Sequence, residues 1–245
     1  MIFGLVRRRT VWWPTVWGWC GLMMLSFAPS VLWWFFGESF LSTTQRLPAE
    51  VLVVEGWIGA EGVHAAAVEF AHGGYRYIVT TSGLTGESWS QRRWSFAREA
   101  EEQLRRSLTL SDKIFVAEPR DTETQRTFES AIAVWSVLKD KGITPKTLDV
   151  FTMGTHARRS RLVFAKVFGP QTNVGVISWK PPGYTASPWW QSSVRAVDFL
   201  KETLGYAFEA LLNSGRKTNS PQSREPRRGS TVSSVIDGAG SSGTH

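Results

Sequence analysis

VLVVEGWIGAEGVHAAAVEFAHGGYRYIVTTSG, residues 51–83, reads as strand, helix and strand in succession. Val51–Glu55 is a short apolar, β-branched run that stops at Gly56. Residues 61–71 carry apolar side chains at helical spacing and end at Gly73-Gly74. Tyr77–Thr81 is a second buried-strand pattern, closed by Ser82-Gly83. A strand with no polar alternation is buried on both faces, as in a parallel sheet.

The same alternation continues downstream. Residues 113–117, 148–153 and 174–178 read as strands. Residues 94–108, 127–139, 157–168 and 191–212 read as helices. Strands of this length separated by helices imply βαβ units. Right-handed crossovers place helices on both faces of one parallel sheet. The fold expected for residues 49–212 is therefore an α/β domain of Rossmann-like type. Ligands of such sheets bind beyond the carboxyl ends of the strands.

Upstream, residues 10–37 hold no charged side chain. A bilayer core needs about 20 apolar residues in a helix. The sequence predicts a cytoplasmic N-terminus at 1–10, a transmembrane helix at 11–36 and a linker at 37–48. Six of the 13 tryptophans precede residue 35: Trp12, Trp13, Trp17 and Trp19 near one end of the run, Trp33 and Trp34 near the other. Indole rings favour both membrane interfaces. Pro14 falls in the expected first turn, and Pro29 should kink the helix if it lies inside it. A cleaved signal peptide is the competing reading. The run exceeds the usual apolar core of a signal, and Pro29 would directly follow the best cleavage site, after Ala28. Arg7, Arg8 and Arg9 precede the span, while Arg46 alone follows closely. The positive-inside rule then leaves the N-terminus in the cytoplasm and the α/β domain outside the cytoplasmic membrane. ATP and NAD are scarce there.

The net charge of +7 is concentrated at the two ends. Three positive charges lie in Arg7–Arg9. Three more, net, lie beyond residue 212, where Arg216, Lys217, Arg224, Arg227 and Arg228 stand against Glu225 and Asp237. The body carries only +1, which excludes a nucleic-acid-binding face. Residues 213–245 are rich in Ser and Gly and read as a disordered tail. One cysteine excludes an intrachain disulfide framework. The four histidines are too scattered for a metal cluster, and neither G-x-G-x-x-G nor G-x-x-x-x-G-K-[ST] occurs. No metal and no cofactor is expected.

The strand ends gather one polar set: Glu55, Gly56 and Trp57 after the first strand, and Ser82 and Gly83 after the second. Arg126, Thr127 and Ser130 follow the third, and Thr155, His156 and Arg159 the fourth. Arg159 lies four residues before Val163, over the inward stripe of its helix, with Arg158 and Arg161 offset from it. An arginine at a helix N-terminus opposes the macrodipole, so a counter-charge is expected there. A bound anion would supply it. A salt bridge to Glu55 or another carboxylate would serve equally. His156 reads as acid/base or hydrogen-bond donor, and Glu55 as base or orienter or as a structural partner of Arg159 or Arg126. Arg126 and Arg159 read as anion clamps. Thr127 and Ser130 bind ligand or merely cap their helix.

VLVVEGW (51–57), TTSG (80–83), RTFESA (126–131), THARRSR (155–161), WWQSS (189–193) and Lys201-Glu202 together resemble the YdcF/SanA/ElyC-like family in order and spacing. The resemblance covers about 49–212. It implies a Rossmann-like domain tethered by one N-terminal helix, with a role in bacterial envelope integrity, peptidoglycan or surface-glycan metabolism. One branch of that family is associated with S-adenosylmethionine. The family's H-x-x-R motif maps onto His156 and Arg159. Its T-x-x-N becomes Thr127-x-x-Ser130, and its glycine-rich first-strand motif is replaced by Glu55-Gly56-Trp57. The function expected is binding of, or action on, an anionic, phosphate- or carboxylate-bearing cell-wall or surface-glycan precursor, free or lipid-linked. The alternative is a non-catalytic envelope factor that binds a small, nucleotide-like ligand. The sequence is compatible with an enzyme and with a binding protein alike.

Overall fold

Val51 and Val53 point to one face of a pleated strand and Leu52 and Val54 to the other, so a run apolar at every position needs cover on both sides. The structure, a computed structural model describing residues 13–84, 94–108, 111–122 and 124–212, supplies that cover. Five strands, β1 (Val51–Glu55), β2 (Tyr77–Thr81), β3 (Ile114–Ala117), β4 (Thr147–Met153) and β5 (Asn173–Trp179), form one sheet in the order β3-β2-β1-β4-β5. All four pairings are parallel, with Val54 opposite Thr80 on one side and Phe151 on the other. The α/β reading of the sequence is therefore correct.

Helices α2 (Gly59–His72) and α3 (Phe96–Ser107) cover one face. There Leu52, Val54, Ile78 and Phe151 pack against Val63, Ala66, Phe70, Ala100 and Leu104. Helices α4 (Arg126–Asp140) and α5 (Ala157–Phe168) cover the other. There Val51, Val53, Val79 and Val150 meet Ala131, Val134, Leu138, Val163 and Phe164. The connection from β3 to β4 carries the chain, through α4, from one edge of the sheet past β2 and β1 to the other side.

The N-terminal helix α1 spans Val16–Leu41. Its mean hydropathy reaches 1.5 over the most apolar window, and it is long and apolar enough to cross a membrane. The expected first two residues of the span, 11 and 12, lie outside the described residues. Two details differ from expectation. Thr15 caps the helix through its hydroxyl, which accepts from the Gly18 amide, so Pro14 precedes the first turn. The helix also continues past Phe36 to Leu41, because its last turns have partners on the body: Gly37 abuts Phe199 and Glu38 pairs with Arg195.

The remaining linker is not slack chain. Gln45 bridges antiparallel to Val176 through two backbone bonds of 2.7 and 2.9 Å. The Leu47 amide donates to buried Asp149 at 3.1 Å. This covers part of the β5 edge, which would otherwise offer free ladder groups. The last helix is shorter than expected. A 3₁₀ turn (Trp189–Gln191) precedes α6 (Ser193–Ala207), which Ser192 caps, and a π-helical turn (Phe208–Leu212) ends the described chain. The tail at 213–245 lies outside the described residues.

Candidate functional site

In the order β3-β2-β1-β4-β5 successive strands are added outward in one direction up to β3 and in the other from β4, so the switch point lies between β1 and β4, and the crevice beyond these two strands is where such sheets hold ligands. Glu55 is the last residue of β1. His156 ends the 3₁₀ turn Gly154–His156 that follows β4. The topology thus delivers both residues to one place, and both are buried.

Glu55 accepts four donors. Thr152 Oγ1 lies 2.5 Å from Oε2, Ser160 Oγ 2.9 Å from Oε1, Trp57 Nε1 3.3 Å from Oε2, and His156 Nε2 3.4 Å from Oε2. The Trp57 ring also meets the imidazole edge-on, with centroids 5.2 Å apart. On its other side His156 Nδ1 approaches Glu202 Oε1 of α6 at 2.9 Å. Arg159 forks onto the same carboxylate, Nε to Oε2 at 2.6 Å and Nη2 to Oε1 at 3.0 Å. Its Nη1 donates to Thr127 Oγ1 at 3.1 Å. Arg159 Nη2 and His156 Nδ1 are 3.1 Å apart because both donate to Oε1. Gly205 lets α6 close over the guanidinium: a Cβ there would lie 2.9 Å from Arg159 Cδ.

The charges fix each other. Burial alone would drive the Glu55 and Glu202 carboxyls up. His156 beside both, the Thr152 and Ser160 hydroxyls at Glu55, and Arg159 at Glu202 outweigh it and hold both below the usual carboxylate range. Burial would likewise lower the imidazole, but Glu202 and Glu55 outweigh it and push His156 up to about 9. At neutral pH the cluster holds two carboxylates, an imidazolium and a guanidinium, and is neutral as a whole. An imidazolium donates protons or hydrogen bonds; it is not a base. Each carboxylate is held ionised by at least two donors, one of them the imidazolium.

Of the residues expected at the site, the structure brings together Glu55, Trp57, Thr127, His156 and Arg159. The counter-charge of Arg159 is Glu202, the chain's own carboxylate, and Glu55 pairs with His156. Gly56 seats the strand end, since a Cβ there would stand 2.3 Å from the Phe96 carbonyl oxygen. The Gly83 carbonyl accepts from the Phe96 amide at 3.3 Å. Ser130 offers its carbonyl to Thr81 Oγ1 at 3.4 Å. Ser82 and Thr155 are buried at the same edge without bonding the four charged groups. Arg126 is exposed and has no ion pair among the described residues. Arg158 is not a free outer cation. Its Nε donates to the Phe40 carbonyl at 2.6 Å, and its guanidinium stacks 3.7 Å from the Phe40 ring centroid. Arg161 donates to the Val174 carbonyl at 2.9 Å.

Glu202, Thr152 and Ser160 are the members that the sequence reading left out of the site. Thr152 carried a signal, as a hydroxyl within an apolar strand adjacent to β1. Ser160 lies one helical turn after His156. Glu202 was marked only by its place in the Lys201-Glu202 pair of the family resemblance, because the tertiary docking of α6 alone brings it there. Compared with known proteins, the chain matches no family model and no curated sequence.

Proposed function

We propose that the chain is a membrane-anchored envelope protein that binds an anionic, phosphate- or carboxylate-bearing cell-wall or surface-glycan precursor at the carboxyl edge of its sheet. In this reading α1 is an uncleaved anchor in the cytoplasmic membrane, and the α/β domain lies on its outer side. One observation carries the proposal. At the β1/β4 switch point, Arg159 and a protonated His156 jointly hold a carboxylate, Glu202, that comes from a separate helix. Glu202 occupies the place of a ligand anion, and a phosphate or carboxylate oxygen would take the same donors. The order of motifs resembling the YdcF/SanA/ElyC-like family supports the same assignment to the envelope.

The pairing of Glu55 with His156 and the proton already on His156 favour binding over hydrolysis. A non-catalytic role, with the crevice reading out a small ligand, is for that reason the second reading. Catalysis by His156 would be limited to proton donation.

Binding of undecaprenyl pyrophosphate by the detergent-solubilised full chain, with neutral undecaprenol as control, tests the proposal. Arg159→Ala should abolish the preference for the anion. Glu202→Gln keeps the hydrogen-bonding shape but removes the competing charge. It should tighten binding by roughly five- to tenfold, the difference between charged and neutral acceptors. Weaker binding by a folded Glu202→Gln protein would show that Glu202 serves the ligand rather than standing in for it, and the proposal would fall.

A further inference from the structure

Helix α6 is charged inside and apolar outside. Its inward positions carry Arg195 and Glu202 beside Phe199, all buried. Its outward row carries Val194, Val197, Leu200 and Leu204, exposed by 70, 64, 55 and 72%, and the row continues through Phe208 and Leu211 in the π-helical turn. These residues recur every three or four positions, so they form one stripe along the helix. The exposed positions of α6 include Lys201 but no acidic residue. A contiguous apolar row of this length marks a contact surface.

The position of α1 identifies the partner. Trp33 packs on Phe199 with centroids 6.3 Å apart, and its Nε1 donates to Thr203 Oγ1 at 3.2 Å. Phe40 meets Tyr206 edge-on at 5.5 Å, and Arg195 Nη2 holds Glu38 at 2.5 Å. The last turns of the apolar helix are thus fastened along α6. The exposed apolar side chains of α1 and the outward row of α6 therefore belong to two helices packed against each other. The junction is aromatic: Trp34 and Trp190 lie 5.6 Å apart and Phe35 meets Trp190 at 5.9 Å, all three open to the outside. Tryptophans cluster at this depth of a bilayer, between hydrocarbon and headgroups. Lys201, half-exposed with its Nζ 4.0 Å from Glu202 Oε1, flanks the row with a cation that suits anionic headgroups.

We infer that α6 is an interfacial helix whose Val194–Val197–Leu200–Leu204 row lies in the surface of the bilayer that α1 crosses. The inference rests on the reading of α1 as a span and adds a second, lateral membrane contact. Amphipathic helices dock in this way, with the apolar face at the headgroup–acyl boundary. The consequence concerns the site: Glu202 lies on the inner face of the helix whose outer face touches lipid. The crevice is therefore held against the membrane surface, and a lipid-linked anion would reach it without leaving the bilayer.

The test uses the full chain in nanodiscs with Cys20→Ser as background. Single cysteines replace Leu25 on α1, Leu204 on α6 and Val68 on α2, each labelled with an environment-sensitive fluorophore. Lipids spin-labelled shallowly or deeply on the acyl chain serve as quenchers. Shallow quenching at Leu204→Cys, deep quenching at Leu25→Cys and none at Val68→Cys is the expected result. Quenching at Leu25→Cys but not at Leu204→Cys leaves the anchor standing and overturns the interfacial helix. Absence of quenching at both overturns the anchor as well. Efficient disulfide cross-linking of unlabelled Leu204→Cys to a second copy, without lipid quenching, would assign the row to a dimer contact instead.

Discussion

A buried imidazolium between two carboxylates binds its proton more tightly in the folded chain than in the unfolded one, and stability follows that difference. His156 is raised to about 9. Its contribution is fully present below an unfolded pKa of ~6.5 and is lost as the pH rises through the folded value. Glu55 and Glu202 are depressed, so their contribution is present above ~4.3 and is lost as the pH falls through their folded values. The melting midpoint of the detergent-solubilised chain should therefore be highest at about pH 5–6.5 and decline toward pH 9. His156→Gln should lower the midpoint throughout and flatten the alkaline decline. An unchanged alkaline limb would assign the loss to another group. The sequence placed His156 and Arg159 together because both precede or open one helix, three residues apart. It could not rank Glu55 against Glu202 as their partners, since that choice is set by α6, some 43 residues further along the chain from Arg159. The partner of Arg158, Phe40, is likewise beyond the reach of local sequence, since α1 contributes it.

At the scale of elements, the strands were legible because both faces are covered and each run is largely apolar without a strict polar alternation. The helix ends were less so. Gly37-Glu38-Ser39 reads as a terminus by composition, yet α1 continues through it because Gly37 fits against Phe199 and Glu38 finds Arg195. Tertiary partners override propensity there. The glycines after β1 and β2 look alike in sequence but differ in the fold. A Cβ on Gly56 would meet the Phe96 backbone at 2.3 Å, whereas one on Gly83 would meet nothing within 4 Å among the described residues. Gly56→Ala must displace the first turn of α3 and should cost about 1–3 kcal/mol. Gly83→Ala should stay within about 0.5 kcal/mol of the parent. Denaturant unfolding of the two variants measures the contrast directly. Equal, mild effects would mean that α3 does not approach β1 this closely.

For the whole molecule, the positive-inside rule turns the charge distribution into an expected topology, the one the proposed function adopts. Arg7, Arg8 and Arg9 precede the apolar helix, and only Arg46 follows it closely, where Glu69 already engages it in a two-bond pair. The neutral cluster at Glu55, His156, Arg159 and Glu202 adds no positive charge that would retain the domain on the cytoplasmic side. Cationic flanks set orientation because lysine and arginine resist transfer across the membrane. A reporter that fluoresces only in the cytoplasm should thus stay dark when fused after Leu212 and shine when fused before Met1. Replacing Arg7, Arg8 and Arg9 together by serine removes the bias and should give a partly bright population of the Leu212 fusion. A bright Leu212 fusion in the unaltered chain would reverse the orientation. It would place the Arg159–Glu202 site at the inner face, and the ligand would then have to be an anion of the cytoplasm rather than of the envelope.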